Sequence, residues 1–295
     1  MFRNLRVKRQ PEKRAPEPAG LPVEYLARDA HSPISLRHIN SLPETVRRRV
    51  YRALIPPALL TRFGIDPITG KAADGESHIR LKADSDSAAI HISAKKMLDA
   101  PDDFLCIELS DNAFNSIDLN LLLLNDPDGP RFGTDYDEEG HATLLGTARR
   151  NRAEEERGMQ AGLAPAQVRA SLGASAMVLQ HVEAVLAALG HRTHFLEPLT
   201  YASAWVFERR GFAYVRGHKL MDDIHKEFQP GGRLHQALDG STPFRQPHQW
   251  NSVRGRAWAI HDGILDGMGM RWDGVRMVKQ IGRHAGAETF PGAVY

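Results

Sequence analysis

Hydrophobic positions along this chain follow two periods. In residues 167–189 the apolar Val178, Leu179, Val182, Val185, Leu186 and Leu189 recur at helical spacing, and Gly190 follows where a helix end favours glycine. Residues 193–196 read as a short buried strand and residues 203–209 as a second helix, closed by Gly211-Phe212 ahead of another strand. Earlier the pattern is strand-like, at residues 88–92, 104–109 and 117–124. The run Leu121 to Leu124 is continuously apolar, which suits a central strand covered on both faces. A polar link, residues 110–116, predicts an antiparallel hairpin between the last two. The predicted fold class is α/β, in the α+β sense of one mixed sheet flanked by helices.

Other elements are set by caps and breakers. Ser41-Leu42-Pro43-Glu44 is a helix start, with serine as cap and Glu44 reaching back. That helix should run to about Leu54, with Arg47, Arg48, Arg49 and Arg52 turned to solvent, and stop at Pro56-Pro57. A charged helix is expected over residues 147–160 and another over 220–228, the latter ended by Gln229-Pro230-Gly231-Gly232. Residues 1–35 read as a flexible basic arm. Residues 36–228 form the main domain, with an insertion at 125–166 that suits a lid or an acceptor-binding element. Residues 229–295 carry Trp250, Trp258 and Trp272, which need somewhere to bury, so this extension is expected to pack on the core or on a partner, a second copy included.

Composition narrows the function classes. The chain has 295 residues, a net charge of +2 and one cysteine. Its basic residues are spread rather than massed, which argues against nucleic acid as a partner. Cys106 sits inside an apolar strand and reads as a small buried residue, and a multi-cysteine metal site is excluded. No run reaches the ~18 apolar residues of a membrane span. The basic start lacks an apolar segment, so neither a secretory leader nor a membrane partner is expected and the location is read as cytoplasmic.

Residues 167–215 carry one resemblance. Leu196-Glu197-Pro198, Thr200-x-x-Ser203, Phe207-Glu208-Arg209-Arg210 and Gly211-Phe212 stand in the order found in the GNAT superfamily of acyl-CoA-dependent N-acetyltransferases. The resemblance implies a central mixed sheet with a splayed strand pair and a helix whose first amides hold the diphosphate of CoA. Acetyl-CoA or another acyl-CoA is then the cosubstrate, and a small-molecule or protein amine the acceptor. Cofactor-binding positions carried over are Gln167, Val168, Arg169, Ser171, Gly173, Ala174, Thr200, Ser203 and Phe207. Two departures stand out. The loop from Arg169 to Ala174 has one residue more between arginine and glycine than the family loop, and Phe207 stands where the family often has a tyrosine acid.

The chemistry needs a base for the acceptor amine, and Glu197 in the matching strand is the candidate. Tyr201 and Tyr214 are the candidate acids for the leaving thiolate, since a phenyl ring has no proton to give. A second reading is a non-catalytic or repurposed binding or assembly protein on the same fold. A third is a metal-dependent enzyme built from scattered His, Asp and Glu residues. No metal ligands are assigned: His-Glu-x-x-His is absent, and His191-x-x-His194 straddles a helix end and a strand. Asp135-x-Asp137-x-Glu139-Gly140 reads as a polar turn, because Gly146 occupies the position where a calcium loop needs glutamate.

Overall fold

In a computed structural model the described residues are 32–144, 146 and 148–295, so the expected basic arm lies outside them up to residue 31. Seven strands form one mixed sheet. They are β1 (Ile79–Lys82), β2 (Ala89–Ala94), β3 (Leu105–Asp111), β4 (Ile117–Leu124), β5 (Thr193–Leu196), β6 (Ala213–Arg216) and β7 (Arg276–Gln280). Their order across the sheet is β1-β2-β3-β4-β5-β7-β6. Every neighbouring pair is antiparallel except β4 with β5. The hairpin expected at residues 110–116 joins β3 to β4, with Asn115 at positive φ in its turn.

Alternation sorts the strands onto two faces. Ile90, Ile92, Leu105, Ile107, Leu109, Ile117, Leu119 and Leu196 are buried in one core cluster with the helices. Those helices include α1 (Leu36–Asn40), α2 (Glu44–Arg52) and α3 (Pro57–Arg62) before the sheet; α4 (Arg152–Gln160), in the insertion, adds no residue to this cluster. Next come α5 (Ser175–Ala188) between β4 and β5, α6 (Tyr201–Arg209) between β5 and β6, and α7 (His218–Glu227), α8 (Arg233–Gln236) and α9 (Val253–His261) after β6. Val178, Leu179, Val182, Val185 and Leu186 of α5 are all at most 2% exposed, as their spacing predicted. Gly190 takes φ +87° just past that helix, a conformation that strains any residue with a Cβ.

Three expectations change. The helix predicted from Ser41 to about Leu54 is α2, but it begins after Pro43 with no side-chain cap; Ser41 instead closes α1, which Ser35 caps. The central run Leu121–Leu123 is only half-buried, so one face of β4 is open where full cover was expected. The boundary at residue 228 falls inside the sheet, because β7, from the extension, lies between β5 and β6. Its lysine hides the strand signal: Lys279 points inward with Met277, where an apolar residue would mark the alternation.

The insertion and the extension are clamped together. Arg150 donates to Asp262 (2.7 Å) and to Glu155, His261 meets Glu155 at 2.9 Å, and Arg245 donates to Asp262 at 2.8 Å. Burial alone would raise the Glu155 and Asp262 pKa values. Hydrogen bonds from His261 and Arg150 to Glu155, and from Arg150 and Thr242 to Asp262, outweigh it and hold both carboxyls below their usual range. The Trp258 indole donates to the Leu163 carbonyl at 2.8 Å, completing the join. No helix among the described residues is long and apolar enough to cross a membrane.

Candidate functional site

The parallel pair β4–β5 is short. Ile117, Asp118 and Leu119 register with His194, Phe195 and Leu196, and there the pairing ends. A bulge follows at once: Leu109 of β3 faces Leu119 while Glu108 faces Leu121, so Asn120 is an extra residue. Beyond it β4 continues to Leu124 without β5. Further on, that edge is taken up again by the chain entering α5, where the Leu172 N–H donates to the Leu124 carbonyl and the Asp126 N–H to the Ala170 carbonyl.

Register identifies the backbone groups in the opening. The Asn125 N–H donates to Phe104 on the β3 side. In an antiparallel ladder the outward and inward pairs alternate, so Leu124 and Leu122 point their N–H and C=O away from β3. Leu124 is met by Leu172. Leu122 has no strand opposite it among the described residues, and its N–H and C=O face the gap between the diverging strands.

The start of α5 is bare. Its N-cap is Ala174, which has no side chain to cap with, and the first intrahelical bond is from Val178 to the Ala174 carbonyl. The N–H groups of Ser175, Ala176 and Met177 therefore have no helical acceptor, and none of the described side chains accepts from them. Arg210, from the end of α6, donates to the Ser175 hydroxyl at 3.2 Å and adds a guanidinium beside the same turn. Free amides, the positive end of a helix dipole and an arginine together favour an anion.

The sequence-predicted residues fall into three groups. Gly173, at φ +68°, Ala174 and Ser171 form the turn into α5, and Ser171 accepts from the Gly173 N–H at 3.4 Å. Others of the nine hold the scaffold. Arg169 donates to Asp102 (2.8 Å) and to the Gly129 carbonyl (2.5 Å), which points it at the insertion and away from the helix tip. Gln167 accepts from the Ala164 N–H at 2.7 Å, and the Val168 carbonyl from the Phe132 N–H. Thr200 and Ser203 bond each other as a capping box at the start of α6. Phe207 packs edge-on against Phe212.

The third group comprises the proposed proton carriers. Glu197 is at the rim, its side chain 59% exposed, and accepts from Arg276 at 2.9 Å. Arg276 also donates to Asp118 in β4, so these three charges bracket the point where β4 and β5 last pair. Tyr201 is 1% exposed, accepts from Arg256, and its hydroxyl is pushed up chiefly by burial. Tyr214 donates to the buried Glu208 carboxylate at 2.8 Å. Burial first and the Glu208 charge second raise its pKa. Sequence reasoning passed over Arg210 and Leu122. Arg210 stands in sequence only as one residue of the Phe207–Arg210 run, and the exposure of the Leu122 backbone depends on a register that no sequence pattern states.

The Asp135–Gly140 turn is held by cations. Asp137 accepts from the Glu139 and His141 N–H groups and from Arg149 at 2.8 Å, while Arg131 donates to Asp135. A separate cleft of about 670 Å³ opens between α4 and residues 240–258, lined in part by Met159, Gln160, His248, Arg254 and Trp258. It shares no residue with the β4–β5 gap. No protein-family model, curated protein or solved structure matches this chain.

Proposed function

We propose that the protein is an acyl-CoA-dependent N-acyltransferase of the GNAT type. The observation that carries the reading is the divergence of β4 from β5 after three register pairs, with the free Leu122 backbone in the opening and an uncapped helix start following β4. The diphosphate of CoA sits on the Ser175, Ala176 and Met177 amides with Arg210 beside it. The pantetheine arm lies in the gap and exchanges amide hydrogen bonds with Leu122. This brings the thioester toward the Asp118–Arg276–Glu197 cluster, where a neutral acceptor amine attacks the carbonyl carbon. The nitrogen–carbon bond forms, the carbon–sulfur bond breaks, and Glu197 takes the amine proton directly or through one water.

A second reading, a CoA-binding or assembly protein without turnover, is favoured by a specific feature. Both tyrosines that could protonate the thiolate are engaged, Tyr201 in the core and Tyr214 with Glu208, and Phe207 has no proton to offer. One experiment separates the readings. CoA and acetyl-CoA at 100 times their dissociation constant should stabilise the protein by ~2.7 kcal/mol. In Arg210→Glu the affinity should fall by about tenfold or more, since a charge-assisted contact is worth ~1.5–3 kcal/mol. Binding with release of free thiol from acetyl-CoA over an amine panel supports the enzyme, and binding without release supports the second reading. No stabilisation by either compound removes both.

A further inference from the structure

On the half-covered face of the sheet, away from the core, His91 of β2 stands directly opposite Glu108 of β3. Two residues back along β3, on the same face, is Cys106. The His91 Nδ1 lies 2.8 Å from Glu108 Oε1, and the Cys106 sulfur lies 3.8 Å from Nδ1 and 3.9 Å from Nε2 of the same ring. One ligand atom from each of the three falls within 4.8 Å of the others.

A nucleophilic thiol does not fit this arrangement. A relay needs the carboxylate on one ring nitrogen and the thiol on the other, but Glu108 occupies Nδ1 and the sulfur favours neither nitrogen. The thiol is also pushed up to about 12, first by burial and then by the charges of Glu108 and Asp103. The geometry fits a cation instead. A tetrahedral ion with bonds of about 2.0–2.1 Å to N and O and about 2.3 Å to S has ligand–ligand edges of about 3.3–3.6 Å. The sulfur–nitrogen distance is already near this, and the His91–Glu108 pair need open by only about half an ångström. Both residues are partly solvent-accessible, at 31% and 38% of their side chains, while the sulfur is buried, so an ion would sit at the surface with its outer position free. A thiolate and an imidazole select the zinc class over magnesium or calcium.

We infer that His91, Cys106 and Glu108 form a three-ligand site for a zinc-class divalent cation, with the fourth position open to water or to a bound ligand. On binding, the ion displaces the thiol proton to solvent and takes the sulfur as thiolate, with no change of oxidation state. Lys82, across from His91 on β1, is the nearest cation by register; it is exposed and forms no ion pair with Glu108 among the described residues. The other candidate set, Asp137, Glu139 and His141, is less suited, because Arg149 already donates to both Asp137 and His141. The inference does not depend on the acyltransferase reading.

The test is titration of the full chain with cobalt(II), read by absorption. Cys106 is the chain's one cysteine, so a thiolate-to-cobalt charge-transfer band can arise nowhere else, whatever the 14 histidines bind. One equivalent should produce the band, Cys106→Ser should abolish it, and His91→Ala and Glu108→Gln should each weaken binding at least tenfold. Glu108→Gln is isosteric at a partly exposed position, so it keeps the test valid if another variant fails to fold. Absence of the band in the wild type would overturn the site. So would a band whose cobalt affinity is unchanged in Glu108→Gln.

Discussion

Replacing His194 by leucine should make the protein markedly more resistant to acid. The ring is fully buried, neither nitrogen has a hydrogen-bond partner, and it packs edge-on against Phe212 at 5.2 Å. Burial, followed by the charge of Lys279 and then that of His191, pushes its pKa down to about 3. A histidine in the unfolded chain has a pKa of about 6.5. Between those values the unfolded chain takes up a proton that the folded chain refuses, so falling pH destabilises the fold. At ~1.36 kcal/mol per unit below the unfolded pKa, the loss from this residue reaches about 2.7 kcal/mol between pH 7.5 and pH 4.5. Urea unfolding of wild type and His194→Leu at pH 7.5 and 4.5 measures it directly. The difference between the two proteins should widen by about that amount in acid. An equal pH dependence in both would mean that His194 titrates normally.

Asp262→Ala should cost about 3–5 kcal/mol, because it strands buried positive charge. The Asp262 side chain is 1% exposed and accepts from Arg150, Arg245 and Thr242. Without it, Arg245 loses its carboxylate partner and Arg150 is left with Glu155 alone at the join between insertion and extension. The same network adds acid sensitivity of the same sign as that of His194. The Glu155 and Asp262 pKa values are depressed in the fold, so their stabilisation is present above the ordinary carboxylate range and is lost as pH falls through the folded values. Because wild type and His194→Leu share these carboxylates, they cancel in the first comparison. Chemical denaturation at pH 7.5 checks the second prediction, and a loss under 1 kcal/mol would show that the charges find other partners.

The fold was legible where a period was clean. The strands Ile117–Leu124 and Thr193–Leu196 and the helix carrying Val178 to Leu189 follow directly from apolar spacing. β1 has only four residues, two of them basic, and β7 turns a lysine inward, so neither carries a hydrophobic signature. The site was legible in outline and misleading in detail. Arg169 has the right charge at the right place in sequence, yet Asp102, distant along the chain, takes it. Thr200 and Ser203 match a binding motif and serve as caps, a role the same residue types fill equally well. Tyr201 lies on the apolar face of its helix, so its hydroxyl goes inward. His91 and Glu108 were visible as polar breaks between Ile90 and Ile92 and between Ile107 and Leu109, but their pairing is a matter of strand register, which only the fold supplies.

The most direct test follows backbone amides in nitrogen-15-labelled protein during titration with CoA. The proposed function predicts that Ser175, Ala176, Met177 and Leu122 move together and saturate on one binding curve, while the Leu36–Asn40 helix stays still. If these four amides hold their positions up to millimolar CoA, neither the bare helix start nor the β4–β5 opening is a CoA site.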